Sequence, residues 1–153
     1  MKVAILGSGP TAIEDLPARG YYTIAVGGGS LKGDWDMLFC TDPKGPEYYH
    51  LVKEREGRIL VVTDKLYLLS GIEPPDPWVL HERPGMKEGR VKCRGAGPNA
   101  AYYAINELDA TEVHLAGCDC TGAGIGARRA PPRVCVWRGS VPAAKHYSVR
   151  RRA

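Results

Sequence analysis

The sequence predicts an α/β fold: a Rossmann-like, mainly parallel sheet with helices on both faces, in a single domain. Short apolar runs rich in β-branched residues, typical of buried parallel strands, recur along the chain. Glycine-rich turns and segments with helical spacing separate these runs, as in repeated β-α units. A length of 153 residues with 44% hydrophobic content suits one domain with its own core.

The first apolar run, Val3–Leu6, leads into a glycine turn that favours phosphate binding. The spacing from Gly7 through Gly9 to Ala12 satisfies the dinucleotide-binding pattern, in the strand-to-helix context that the pattern requires. Gly9 lets backbone approach a ligand, and Pro10 suits the first position of a helix whose free N–H groups attract an anion. The alternative is a structural turn that binds no ligand. The candidate nucleotide-binding residues here are Gly7, Ser8, Gly9, Pro10 and Thr11.

The second strand, Tyr21–Val26, follows a brief helix over Thr11–Leu16 and runs into a flexible glycine turn. Gly27 and Gly28 then lie at the carboxyl end of a strand, where open α/β sheets bind ligands, and both are candidate nucleotide-binding residues. An NAD-binding enzyme places an acid at this point to hold the ribose hydroxyls, so the glycines argue against NAD. The Lys-Ser/Thr of a P-loop is also missing from the first turn.

The third predicted strand, Asp36–Cys40, ends at an acid. Asp42 is therefore a candidate catalytic residue or magnesium ligand, although an Asp before proline also simply forms turns. Apolar spacing predicts a helix over Pro46–Glu56, and Ile59–Val62 form the core of a fourth strand.

The stretch from Leu66 to Lys92 is rich in proline and has no clear period. Trp78–Leu80 can form a short strand within it. The polar residues that follow, His81–Arg83, are expected to lie in a solvated loop.

A second glycine turn, Arg94–Asn99, repeats the order of the first and precedes a helix with an alanine-rich apolar stripe. Ala96 and Gly97 of this turn are candidate nucleotide-binding residues. The strand Glu112–Ala116 follows, and after it Asp119 is a second candidate catalytic acid and magnesium ligand.

Charge divides the chain into a predicted Rossmann-like nucleotide-binding domain, residues 1–122, and a basic C-terminal extension, residues 123–153. The net charge is +4, yet no acid follows Asp119. Such a tail either contacts an anionic partner or is merely solvated. The extension contains one strand-like run, residues 134–137, and His146, a reserve candidate for a catalytic base.

Five cysteines without zinc-ribbon or thioredoxin spacing are expected to be reduced. Cys118 and Cys120, with His114 and Asp119 nearby, invite a metal interpretation, but their spacing is wrong for the usual zinc knuckle. No charged leader or long apolar run is evident, so we expect a cytoplasmic protein without a membrane span.

The ordered motifs resemble the bacterial sialyltransferases of glycosyltransferase family 42, the 6-hydroxymethylpterin diphosphokinase-like proteins and small phage proteins of this pattern. The resemblance covers residues 1–122. It rests on the Val3–Thr11 segment, on Phe39–Pro43 followed by a Tyr-Tyr helix, and on Ala96-Gly97 with the helix that leads into Val113–Asp119.

The resemblance implies a Rossmann-like sheet whose two glycine turns hold a nucleotide. The residues that it places in the nucleotide site are Ser8, Gly9, Gly27, Asp42, Ala96, Gly97 and Asp119. Two positions depart from the sialyltransferases: Gly27 replaces an Asn, and Arg150 replaces the second His of their His-Tyr-x-x-His segment.

Three functions remain open. A nucleotide-dependent transferase, moving a glycosyl or diphosphoryl group, requires acids and possible magnesium at the phosphate pocket. A non-catalytic nucleotide-binding or sequestering protein has the same turns without a base or metal acid in reach. A nucleic-acid-binding module would rely on the basic tail, but the sequence lacks a stacking platform or a known nucleic-acid motif.

Overall fold

The computed structural model describes residues 1–17, 19–82 and 96–118, together with the strand backbone of 135–138 and 150–152. The strands are β1 Lys2–Leu6, β2 Tyr22–Val26, β3 Met37–Cys40, β4 Ile59–Thr63, β5 Trp78–His81, β6 Glu112–Ala116, β7 Cys135–Arg138 and β8 Arg150–Arg152. The α-helices are α1 Ala12–Asp15, α2 His50–Lys53, α3 Asp64–Ser70 and α4 Ala96–Glu107, and 3₁₀ helices cover Gly27–Leu31 and Gly45–Tyr48. None of the helices in these ranges has the length and apolar character needed to span a bilayer.

The described strands form one sheet in the order β7-β6-β1-β2-β3-β4-β5-β8. Neighbouring strands from β6 to β5 pair in parallel, and the two outer strands pair antiparallel. The chain advances from β1 to β5 in one direction and then crosses back to place β6 on the other side of β1. The predicted α/β sheet is confirmed, and its topological switch point lies between β1 and β6.

Alternate side chains along the strands build a core on each face of the sheet. On one face Phe39 packs in a cluster with Tyr103 and Ala104 of α4. On the other face the cluster joins strand residues such as Leu60 to Leu51 of α2 and Leu66 of α3. Helices therefore cover both faces, as predicted.

Two predicted elements differ from the structure. The helix predicted over Pro46–Glu56 is divided into the 3₁₀ helix Gly45–Tyr48, which has proline in its first turn, and the four-residue α2. Helix α3 was not predicted, because only Leu66 of its leucines is buried while Leu68 and Leu69 are 78% and 66% exposed. Its sequence consequently lacks the amphipathic period by which a surface helix is recognised.

Charged side chains join β2 to β3 and β4 at the edge where the parallel strands begin. Oδ2 of Asp36 accepts a hydrogen bond from the backbone N–H of Thr23 at 2.8 Å. Nη1 of Arg58, just before β4, donates to Oδ1 of Asp36 at 2.8 Å. Burial, followed by the Asp36 carboxylate, raises the pKa of the adjacent Tyr22. Asp36 thus connects three strands.

We expect Asp36→Ala to lower the free energy of unfolding by about 1–2 kcal/mol, because the Thr23 N–H and Arg58 lose a charged acceptor. Asp34→Ala is the matched control: its carboxylate is 78% exposed and pairs with Arg55 and Arg58 at the surface. Exposed pairs of that kind contribute at most about 1 kcal/mol. Urea denaturation followed by circular dichroism measures both changes, and equal losses would contradict the role given to Asp36.

Candidate functional site

The loops that follow β1 and β6 are joined by backbone hydrogen bonds at the switch point. The N–H of Gly7 donates to the carbonyl oxygen of Ala116 at 2.8 Å, and the N–H of Gly9 donates to that of Gly117 at 2.9 Å. We call this pairing the β1–β6 loop contact. Two N–H groups of the predicted phosphate turn are therefore used inside the protein.

Close packing at the β1–β6 loop contact explains Gly7 and Ala12. A Cβ on Gly7 would overlap the carbonyl group of Gly117 and would lie 2.9 Å from Sγ of Cys118. A Cβ on Gly117, which has a φ of +65°, would lie 2.9 Å from Cα of Ala12. Gly7 and Ala12 of the glycine-x-glycine-x-x-alanine pattern thus allow two loops and α1 to pack closely. This is the structural alternative to ligand binding for these two residues.

The second glycine segment, at the start of α4, also lies close to the β1–β6 loop contact. Helix α4 begins at Ala96, so Gly97 and Pro98 lie within its first turn rather than in a turn before it. A Cβ on Gly97 would lie 3.0 Å from Sγ of Cys118, the thiol that also borders Gly7. The N-terminus of α4 and the first glycine turn therefore both contact Cys118.

Three of the predicted residues, Ser8, Gly27 and Gly28, lie together where β1 and β2 end. The Gly27–Ser30 segment is a 3₁₀ helix rather than a flexible turn, and Oγ of Ser30 donates to the carbonyl of Gly27 at 2.7 Å. A Cβ on Gly28 would lie 3.2 Å from Cβ of Ser8 and 3.6 Å from the Tyr48 hydroxyl. Gly28 thus lies close to an exposed serine and to the hydroxyl of a tyrosine.

Asp42 lies beside this group, at the end of β3. Its Oδ1 accepts a hydrogen bond from the backbone N–H of Lys44 at 2.9 Å, and its carbonyl accepts one from the N–H of Gly45 at 2.9 Å. Its Oδ2 lies 4.0 Å from the position that a Cβ on Gly27 would take. The turn predicted as the alternative role of Asp42 is present, and the carboxylate nevertheless borders the predicted site.

A buried thiol anchors the loop that carries Asp42. Sγ of Cys40 donates to the carbonyl of Gly45 at 3.7 Å. A Cβ on Gly45 would lie 2.7 Å from Cδ2 of Leu66 and 2.9 Å from Cβ of Cys40, so the loop is tightly packed. Burial, followed by the nearby charge of Asp42, raises the pKa of Cys40 to about 12.

Other candidates stand apart from this group. The hydroxyl of Thr11 donates to Oδ2 of Asp15 at 2.7 Å, and Pro10 is exposed. Asp119 and His146 lie outside the described residues, so the predicted convergence of Asp42 and Asp119 stays a prediction.

The metal interpretation included His114. A hydrogen bond of 2.7 Å joins Nε2 of His114 to the carbonyl oxygen of Asp15. Within the described ranges, no group of three or more His, Cys, Asp or Glu residues is placed to hold a metal ion.

Sequence reasoning missed Tyr48, Gly117 and the packing role of Cys118. Tyr48 packs against the core on one face of the sheet, and its hydroxyl lies 3.6 Å from the position that a Cβ on Gly28 would take. His81, expected in a solvated loop, is 1% exposed at the end of β5. Its ring lies 5.1 Å from that of Tyr103, measured between centroids. No local sequence signal distinguishes these residues, because each contact joins distant parts of the chain.

The geometry defines the class of this protein as a single-domain, Rossmann-like α/β protein. Comparisons with models of known protein families, with curated proteins and with solved structures find no match to the chain.

Gly7→Ala is expected to lower the free energy of unfolding by about 1–3 kcal/mol, because the new methyl group overlaps the backbone of Gly117, which cannot move aside cheaply. Gly28→Ala is the matched control. Its methyl group meets the exposed Ser8 at 3.2 Å, and we expect a change within about 1 kcal/mol. Chemical denaturation of both variants tests this contrast, and a Gly7→Ala variant as stable as wild type would refute the packing role.

We expect the Cys40 thiol to resist alkylation by iodoacetamide at pH 8, since a pKa near 12 leaves almost no reactive thiolate and the side chain is buried. Mass spectrometry of the Cys40 peptide, with and without urea, measures its modification. Equal rates of modification in the folded and unfolded protein would show that the thiol is accessible.

Proposed function

We propose that this chain binds a nucleotide along the carboxyl ends of β1, β2 and β3. The observation that carries the proposal is the cluster of Ser8, Gly28 and Tyr48, with the Asp42 carboxylate beside Gly27. Three strands each contribute to this group, and it adjoins the switch point at which open α/β sheets bind ligands.

The position of the α4 N-terminus favours a nucleotide rather than a neutral ligand. Helix α4 has twelve residues, and its N-terminus lies beside the Gly7 turn through Cys118. The first N–H groups of a helix lack partners within the helix and carry partial positive charge, which favours an anion. Because the N–H groups of Gly7 and Gly9 are already used, we assign phosphate contact to α4 and to Ser8.

A second candidate function is transfer of a glycosyl or diphosphoryl group from the bound nucleotide. The observation that favours it is the exposed Asp42 carboxylate at the site, which could hold magnesium on the phosphates or accept a proton from the second substrate. The resemblance to family 42 sialyltransferases and to the diphosphokinase-like proteins agrees with this chemistry, and Asp119 and His146 are the further catalytic candidates.

Thermal unfolding in the presence of nucleotides, nucleotide-sugars and pterins, with and without Mg²⁺, tests the proposal. At about one hundred times the dissociation constant, a ligand adds ~2.7 kcal/mol of stability, or a rise in Tm of roughly 5–10 °C for a domain of this size. Gly28→Val should abolish the rise, because its side chain would lie against Ser8 and Tyr48, where we propose that the ligand binds.

Ser70→Val is the control for Gly28→Val, since it places the same side chain at the far end of α3. It should leave the ligand-induced rise unchanged. Failure of every nucleotide and nucleotide-sugar to raise Tm would refute nucleotide binding. Product formation from a nucleotide-sugar or nucleoside triphosphate, measured by mass spectrometry, would establish the transferase over simple binding.

A further inference from the structure

The end of β2 lacks the acid that holds ribose in nucleotide-binding sheets of this type. In such proteins an Asp or Glu at that point accepts hydrogen bonds from the ribose hydroxyls. Here the position belongs to Gly27, whose φ of +48° lies in the region that residues with side chains rarely adopt. The place beside β2 is therefore open to a side chain from elsewhere.

Asp42 reaches this place from the neighbouring strand. β2 and β3 pair in parallel with Val26 beside Phe39, so the residues that follow the two strands emerge side by side. Oδ2 of Asp42 lies 4.0 Å from the point where a Cβ on Gly27 would stand. Asp42, which follows β3, thus lies next to the position at Gly27 where an acid at the end of β2 would lie.

The carboxylate is held in place with one oxygen committed. Oδ1 accepts from the backbone N–H of Lys44, and the loop itself is closed by the bond between Asp42 and Gly45. Oδ2 has no hydrogen-bond partner among the residues that the structure describes, and Asp42 is exposed. The side chain therefore presents an anionic acceptor beside Gly27, held by the hydrogen bond from Lys44.

We propose that Asp42 accepts hydrogen bonds from the 2′- and 3′-hydroxyls of a ribose and so selects ribonucleotides over 2′-deoxyribonucleotides. An ionised carboxylate only accepts hydrogen bonds, and a vicinal diol supplies two donors. A deoxyribose lacks one donor, and a 2′-phosphate would be repelled by the like charge. The inference rests on the proposed nucleotide binding and assigns Asp42 to recognition rather than to metal binding or proton transfer.

The test compares the four ribonucleoside monophosphates AMP, CMP, GMP and UMP with their 2′-deoxy counterparts, by titration calorimetry in EDTA. The wild-type protein should bind the best ribonucleotide about tenfold or more tightly than its deoxy form, a factor that corresponds to about 1.4 kcal/mol. Asp42→Asn should reduce this preference to about twofold or less, mainly by lowering the affinity for the ribonucleotide.

Asp42→Asn suits the test because the amide oxygen can still accept from Lys44 while a donor replaces Oδ2. Retained binding of the deoxynucleotide shows that the variant site is intact. Glu56→Gln, which neutralises an exposed carboxylate at the opposite edge of the sheet, should keep the full preference.

The outcomes separate the two proposals. Equal affinity of the wild type for the ribo and deoxy forms, or a preference that Asp42→Asn leaves unchanged, would overturn the ribose assignment while nucleotide binding stands. A preference that appears only when Mg²⁺ replaces EDTA would point to a metal ligand and would also overturn it. Absence of binding by all eight compounds would overturn the ribose assignment, and the failure of every nucleotide-sugar to raise Tm as well would overturn nucleotide binding.

Discussion

The β1–β6 loop contact is the interaction on which the arrangement of the candidate site depends. Its two backbone hydrogen bonds join segments that lie far apart in the sequence, and small residues allow the loops to meet without side chains between them. Bringing such distant segments together costs loop-closure entropy, which the parallel pairing of β1 with β6 helps to offset. The same contact sets Cys118 against the first turn of α4 and so fixes where that helix begins relative to β1.

The sheet was predictable because its information is local. Buried parallel strands require continuous apolar runs, and β1, β3 and β4 consist of little else. Short helices carry less local information, because a helix of four to seven residues is stable only through tertiary packing. Thus α3, with two exposed leucines, and the break between the 3₁₀ helix Gly45–Tyr48 and α2 could not be derived from the sequence pattern.

The candidate site could be predicted only in part. Glycine turns after strands predicted a site at one edge of the sheet, and Gly27 and Asp42 lie together at that edge. The pattern could not tell whether a glycine faces a ligand or a neighbouring loop, since either close approach requires a residue without a side chain. In the structure Gly7 packs against Gly117. The Tyr48 hydroxyl lies close to Gly28 through a contact between distant segments. The roles of Asp119 and His146 stay predictions.

The pairing of β2 with β3 has a consequence for how ligand selectivity could change. Gly27 and Asp42 follow different strands, so their separation depends on the alignment of Val26 with Phe39. A slip of one residue would shift the carboxylate by about 3.3 Å along the strand and turn every side chain of β3 to the opposite face. The buried side chains of β3 resist this slip. Under the proposed ribose recognition, the choice of sugar would depend on the packing of the core, and substitutions in the loops alone would offer limited scope for altering it.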